Sequence, residues 1–269
     1  MRAARDAAQC ARQRCRAPRP CIVRDASRST REGKAAAGSH QPRRAQPPAR
    51  RPIPAPRPPR PLSPFPKIFE YNGAAIVAMA GAGCVAIGSD LRFGVQFQTL
   101  ATDHKKVHRV HDRLYVGLAG LGTDAATLLA TLQFKHNLYR LREERDMRPA
   151  AFTEALSATL YEKRFGPYFV SPVVAGLGDR DVPYLAGMDS IGAVETATDF
   201  MVAGTAPDSL YGMCESMWRP GLDADALFET VAQCLLSGQD RDALAGWGAV
   251  VYVVTKDGAV ARTLKGRMD

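Results

Sequence analysis

The most constraining feature of the sequence is an apolar segment, residues 73–90, that carries no charged side chain before Asp90. Two short apolar runs, residues 76–79 and 84–87, are joined by a glycine-rich turn. This pattern predicts a β-hairpin that is buried on both faces, because its side chains are apolar on both sides of the strands. The rest of the chain must therefore pack over both faces of this hairpin.

Charge divides the chain into two parts. The 269 residues include 36 Lys and Arg and 27 Asp and Glu, a formal net charge of +9. Residues 1–66 hold 16 of the basic and three of the acidic side chains, so the remainder is slightly acidic. Prolines recur through residues 52–61 and exclude helix and sheet there. We expect residues 1–66 to be a disordered Arg/Pro-rich extension and residues 67–269 to form one domain.

Three interpretations of the extension remain open. Its positive charge suits nucleic-acid phosphates, although no aromatic residue before Phe65 offers a stacking surface. Its Arg and Ala content is typical of a mitochondrial transit peptide, although Pro18 and Pro20 interrupt any amphipathic helix. We favour the third interpretation, an extension without function or an artefact of the chosen start codon.

The sequence predicts no membrane span, metal site or cofactor site. No run approaches the roughly 18 apolar residues that a bilayer requires. The glycines of residues 117–122 are not followed by the Gly-Lys-Ser/Thr of a phosphate loop. Within the extension, Cys10, Cys15 and Cys21 lack a fourth ligand at zinc-site spacing. The remaining cysteines are expected to be reduced core residues of a cytosolic or nuclear protein: Cys84, Cys214 and Cys234.

Periodicity further along the chain predicts alternating groups of strands and helices. After a group of strands comes a long helix that Thr123 is expected to cap, and Pro149 begins a second helix. More strands, two further helices and a closing hairpin follow. Two sheets packed face to face, each covered by a helix pair, bury all of these elements. The predicted fold class is therefore α+β, a four-layer αββα sandwich.

Six strings in the domain carry a resemblance to a known family. They are VAIGSDLRFG (85–94), GLAGLGTD (117–124), YEKRFGPY (161–168), YGMCE (211–215), DRDA (240–243) and RTLKGRMD (262–269). Together with the order of elements, they resemble the N-terminal-nucleophile hydrolases and, more narrowly, β-type subunits of the proteasome core particle. Within that class they are most similar to the beta type-3 family. The resemblance covers residues 71–269 and implies the sandwich of the N-terminal-nucleophile type.

For catalytic members, the resemblance implies a threonine nucleophile that is exposed by cleavage after a glycine and uses its own α-amine as base. A lysine keeps that amine neutral, and two aspartates and two serines orient the group. The charged positions are matched by Asp90, Lys106 and Asp242. The nucleophile and the two serine positions are taken by Ala74, Gly204 and Ala245.

Because Ala74 has no hydroxyl, the chain is expected to lack activity of its own. Neither Ser89 nor Cys84, the nearest alternatives in sequence, is a chain terminus with a free amine. We interpret the charged residues as a buried ion-pair cluster kept for packing, since a paired charge is tolerated inside a protein.

One further residue, Asp189, has two interpretations. In the beta type-3 family the matching aspartate reaches the substrate pocket of the adjacent subunit, which prefers basic side chains. The alternative is a solvated turn aspartate.

The sequence thus predicts a non-catalytic structural β-type subunit that shapes the proteolytic chamber for ubiquitin-dependent degradation. By resemblance its partners are the other subunits of a seven-membered β ring, the adjacent α ring and the opposite β ring, in cytoplasm and nucleus. No nucleic acid or membrane is expected to bind the domain. The alternatives are an active N-terminal-nucleophile amidohydrolase and a nucleic-acid-binding protein that acts through its tail.

Overall fold

The computed structural model describes residues 68–268, so the predicted extension over residues 1–66 and its boundary lie outside the described residues. In chain order the elements are β1 (Ala75–Ala80), β2 (Val85–Asp90), β3 (Phe93–Val95), β4 (Gln98–Ala101), β5 (Val107–His111), β6 (Leu114–Gly120), α1 (Gly122–Glu143), α2 (Pro149–Tyr161), β7 (Val170–Leu177), β8 (Pro183–Met188), β9 (Val194–Ala197), β10 (Phe200–Gly204), α3 (Pro207–Met217), α4 (Ala224–Gln239), β11 (Ala249–Thr255) and β12 (Gly258–Leu264).

Ten of these strands form two five-stranded antiparallel sheets. The first sheet has the order β10-β1-β2-β11-β12 and the second β5-β6-β7-β8-β9, while β3 and β4 pair only with each other. The apolar segment that dominates the sequence forms β1 and β2, near the centre of the first sheet. Every residue of both strands is buried, which confirms the predicted hairpin covered on both faces.

Side chains of β1 alternate between two apolar layers, as the two-residue period of a strand requires. Ala75, Val77 and Met79 pack against α3 and α4. Ile76 and Ala78 point the other way, into the layer between the two sheets. A third apolar layer joins the second sheet to α1 and α2. Helices therefore pack on each of the two sheets through apolar layers, and the predicted α+β class is confirmed.

One local prediction was wrong and one strand was missed. Thr123 does not cap α1, since the helix already begins at Gly122 and its N-cap, Leu121, makes no side-chain bond. Instead the Asn72 carboxamide, 50 residues away in sequence, accepts a 2.9 Å hydrogen bond from Gly122 N–H. The edge strand β9 was not predicted, because three of its four residues are exposed and give no apolar signal.

Sheet register brings the predicted site together. β1 pairs with β10 so that Ala75 lies opposite Gly204, and it pairs with β2 so that Ile76 lies opposite Ser89. Asp90, the last residue of β2, thus lies beside the first residues of β1.

Candidate functional site

Asp90 and Lys106 are in direct contact at one end of the first sheet. Lys106 Nζ lies 2.6 Å from Oδ1 and 2.7 Å from Oδ2 of Asp90. Asp90 is fully buried and the Lys106 side chain is only 5% exposed. The carboxylate also accepts from Ala75 N–H at 2.9 Å and from Gly246 N–H at 3.4 Å. Both oxygens are therefore satisfied, as a buried charge requires.

The environment of Lys106 has two opposing effects on its protonation. Burial lowers the pKa of Lys106 from its ordinary value, and the adjoining Asp90 carboxylate opposes that shift. Because Asp90 also binds two backbone N–H groups, the ion pair ties β1 and the loop after α4 to the segment that precedes β5.

Ala74 occupies the position that the resemblance gives to the nucleophile, and its backbone is tightly enclosed. Its carbonyl accepts a hydrogen bond from Thr205 N–H at 2.8 Å, and Thr205 Oγ1 lies 3.1 Å from the same oxygen. Gly204 has φ +132°, and a Cβ there would lie 2.0 Å from the Ala74 carbonyl oxygen. The serine of the family pattern therefore has no room at residue 204 in this backbone.

Asp242 does not join the ion pair directly. Its carboxylate accepts from the Thr205 hydroxyl and, through Oδ1, from Leu244 N–H at 2.9 Å. Ala245, the residue after Leu244, is buried and has a methyl side chain without a polar group. The sequence reasoning missed Thr205, although its hydroxyl follows directly after Gly204, where a serine was sought.

Arg92 is a second residue that the sequence reasoning missed. It is almost fully buried, and its guanidinium donates to Leu244 O at 2.9 Å, to Gln96 O at 2.8 Å and to Thr99 Oγ1 at 3.0 Å. It therefore fastens the β3–β4 hairpin to the loop after α4. The signal that could have identified Arg92 is its position two residues after Asp90, a predicted site residue.

Residues 68–73, here called the strap, run into Ala74 and cover one side of the site. Tyr71 O accepts from Gln96 N–H at 2.7 Å. Asn72 donates through Nδ2 to Gly94 O at 2.8 Å and accepts at Oδ1 from Gly122 N–H. Beneath the strap lies a cavity of about 100 Å³, here called the cleft. The cleft is lined by Asn72, Gly73, Ala74, Lys106, His104, His108, Leu118, Leu129 and their neighbours.

Asp189 lies outside this network, on the turn between β8 and β9. Its Oδ1 accepts from Ile191 N–H at 3.0 Å and from Ala193 N–H at 2.8 Å. The residue is exposed and lines an open groove of about 540 Å³ that also contains Gly204 and Glu195. Its backbone bonds fit a turn aspartate, and its exposure leaves the carboxylate open to a partner.

Two other nucleophilic side chains, Ser89 and Cys84, lie near the site in sequence. Ser89 and Cys84 are buried, and neither stands at a chain terminus, so no α-amine is available to activate them. Within residues 68–268, no group of three or more His, Cys, Asp or Glu side chains is placed to hold a metal ion. Nor is any helix in this range both long and apolar enough to cross a membrane.

A family model described as proteasome subunit matches residues 70–254, more than half of the chain. The chain therefore belongs to the proteasome subunit family. Several similar proteins are beta type-3 subunits. Proteasome subunit beta type-3 of Picea mariana is 60% identical over 202 residues, which is 75% of this chain and 99% of the relative. The beta type-3-A subunit of Arabidopsis thaliana is 59% identical and the probable type-3 subunit of Schizosaccharomyces pombe 54% identical, with the same coverage.

Proposed function

We propose that this chain is a non-catalytic structural β-type subunit of the proteasome core particle, with the four-layer sandwich of the N-terminal-nucleophile type. Its role is to complete the β ring and shape the chamber in which neighbouring subunits degrade ubiquitin-tagged proteins. The observation that carries the proposal is Ala74, a methyl side chain where the family places its threonine. The closed Asp90–Lys106 pair and the filled space at Gly204 support it, because both fit a structural network rather than an open active site.

The family membership supports assembly with other proteasome subunits. The proposed partners are the other β subunits of a seven-membered ring, the α subunits of the adjacent ring and the β subunits of the opposite ring. A subunit in a closed ring presents two different side surfaces, one to each neighbour. The proposed locations are the cytoplasm and the nucleus.

The direct test is mass spectrometry of core particles purified natively from the source cells. We expect the chain in stoichiometric amount, with an N-terminus shortly before Tyr71. Its absence from the particle, with the full basic extension intact elsewhere in the cell, would refute the proposal. That result would favour the alternative of a nucleic-acid-binding protein, which requires salt-dependent binding that is lost on deleting residues 1–66.

A second part of the proposal concerns Asp189, whose carboxylate contributes to the substrate pocket of an adjacent subunit and attracts Lys and Arg side chains. The exposure of the carboxylate on an open groove supports this role. Asp189→Asn is expected to weaken trypsin-like cleavage by the particle and to leave the other two peptidase activities unchanged. An equal change in all three activities would instead favour the turn aspartate.

A further inference from the structure

The Asn72 side chain has the chemistry of a backbone peptide unit. Its carboxamide presents a carbonyl oxygen and an NH₂ group with two N–H donors, so the oxygen and one N–H can match the acceptor and donor of a peptide bond. The oxygen accepts from Gly122 N–H at 2.9 Å and the nitrogen donates to Gly94 O at 2.8 Å. These two partners are backbone groups of different elements: Gly122, at the start of α1, lines the cleft, and Gly94 follows Phe93, a lining residue in β3. A donor and an acceptor placed in this way are what an extended peptide uses when it binds beside a strand.

The strap that carries Asn72 is firmly attached at both ends. Upstream, the Phe69 ring packs edge-on against Phe169, with the ring centroids 5.6 Å apart. Downstream, Gly73 adopts φ +72°, and a Cβ there would lie 2.1 Å from Leu244 O. Asn72 as a whole residue is only 6% exposed. The strap is thus fixed over the cleft by contacts on both sides of Asn72.

The cleft beneath Asn72 suits a small uncharged aliphatic group. The cleft has a volume of about 100 Å³, and its walls include Leu118, Ala125 and Leu129. The ammonium of Lys106 is engaged by Asp90. Burial lowers the pKa of His104 and His108 from their ordinary values, which favours uncharged rings. Nothing in these walls would attract a charged ligand.

We propose that Asn72, one wall of the cleft, stands in for a bound peptide: it takes the Gly94 carbonyl and the Gly122 N–H and thereby keeps extended peptides out. The inference deepens the proposed function and rests on it, because a subunit that cleaved peptides here would need these groups free. The chain is then inert for two independent reasons: Ala74 lacks a nucleophile, and the strap occupies the peptide position.

The test uses assembled core particles that contain the full chain, after a covalent inhibitor has silenced the neighbouring peptidases. The probe is an acetyl- and amide-capped Ala-Ala-photoleucine tripeptide, which carries an aliphatic photoreactive side chain. Crosslinks to α1 and to the residues around Gly94 are counted by mass spectrometry in the parent and in Asn72→Ala. The matched controls are Phe69→Ala, which weakens the strap but leaves the carboxamide, and Asn137→Ala, on the exposed face of α1.

Asn72→Ala is expected to raise labelling of the cleft about tenfold, since two hydrogen-bonding groups become free for the probe. Asn72→Asp keeps the side-chain volume and the bond from Gly122 but cannot donate to Gly94. Its labelling should therefore fall between that of the parent and that of Asn72→Ala. It also provides the same readout if Asn72→Ala does not assemble. Asn137→Ala should match the parent, and Phe69→Ala should stay below Asn72→Ala.

Two failures are distinguishable. If the particle contains the Asn72 variants but their cleft labelling equals that of the parent, the inference is wrong and Asn72 serves only to cap α1. If the parent chain is absent from the particle, or cleaves the probe there without the inhibitor, the proposed function itself is wrong.

Discussion

Replacing Lys106 by methionine is expected to destabilise the chain strongly, because it leaves the Asp90 carboxylate buried without its cation. The methionine side chain is unbranched and fills much of the space of the lysine stem, so the main change is the lost charge. The variant isolates the electrostatic contribution of this pair to folding.

The magnitude follows from the burial and geometry of the pair. Lys106 Nζ lies 2.6 and 2.7 Å from the two Asp90 oxygens, and neither side chain is more than 5% exposed. Salt and water therefore screen the pair little. Removing one partner of such a pair costs about 3–5 kcal/mol. The N–H of Ala75 remains as a donor to the carboxylate, so we expect about 3 kcal/mol, the lower end of that range.

The assay is urea unfolding of the purified full-length chain, together with the amount of each variant that enters core particles. Arg148→Met is the matched control, because it breaks the exposed 3.1 Å pair with Asp179 and should cost only about 0–1 kcal/mol. Asp90→Asn combined with Lys106→Met should lose less than the sum of the single changes, with a coupling of about 1–3 kcal/mol.

The reasoning is refuted if Lys106→Met costs less than about 1 kcal/mol, or if it assembles normally while cleavage by the particle is lost. The first result would mean that the carboxylate is not held as a buried charge. The second would mean that Lys106 serves chemistry rather than packing.

Three further predictions follow from the same region and from a buried histidine. Gly204→Ala should destabilise the chain by about 3 kcal/mol or more in urea unfolding, because its Cβ would meet the Ala74 carbonyl oxygen. Gly212→Ala, a helical site with no atom within 4 Å of the new Cβ, should instead stabilise by about 0.5–1 kcal/mol. Ala74→Thr should add no hydrolysis of fluorogenic peptides, since the strap remains in place, and any turnover above that of the parent particle contradicts this. Burial lowers the pKa of His136 below the ordinary histidine value of about 6.5, so its contribution to stability is fully present above that pH and declines as the pH falls below it. His136→Leu should therefore reduce the loss of stability between about pH 7.5 and about pH 5.5, and an unchanged loss would show that other groups cause it.

The parts of the fold that the sequence predicts are those set by local pattern. The run of residues 73–89 has no charged side chain to place in solvent, so the burial of β1 and β2 follows from composition, while the turn at Ala82 and Gly83 is exposed. Pro149 begins α2, as predicted, because its fixed φ and missing N–H suit the first turn of a helix. In both places the information lies within a few residues of the element that it defines.

The parts that sequence reasoning missed depend on contacts between distant segments. Thr123 has the side chain of a helix cap, but Asn72 supplies the oxygen at the start of α1 from 50 residues away. Asp242 has the charge to join the ion pair with Lys106, yet it turns to the Thr205 hydroxyl and to Leu244 N–H. Local propensity cannot rank such alternatives, because the competing partner is brought close only by the packing of the sheets.

The geometry at Gly204 adds a point that alignment to a family pattern does not contain. The pattern shows only that a serine is missing there. The register of β1 and β10, with Ala75 opposite Gly204, places the Ala74 carbonyl where a Cβ of residue 204 would have to lie. The hydrogen bond from Thr205 N–H, 2.8 Å long, holds that carbonyl in place. A serine at 204 therefore requires β1 or β10 to move. The missing serine hydroxyl and the close approach of the Ala74 carbonyl to Gly204 are thus linked. Changing the side chains at 74 and 204 alone does not rebuild the site.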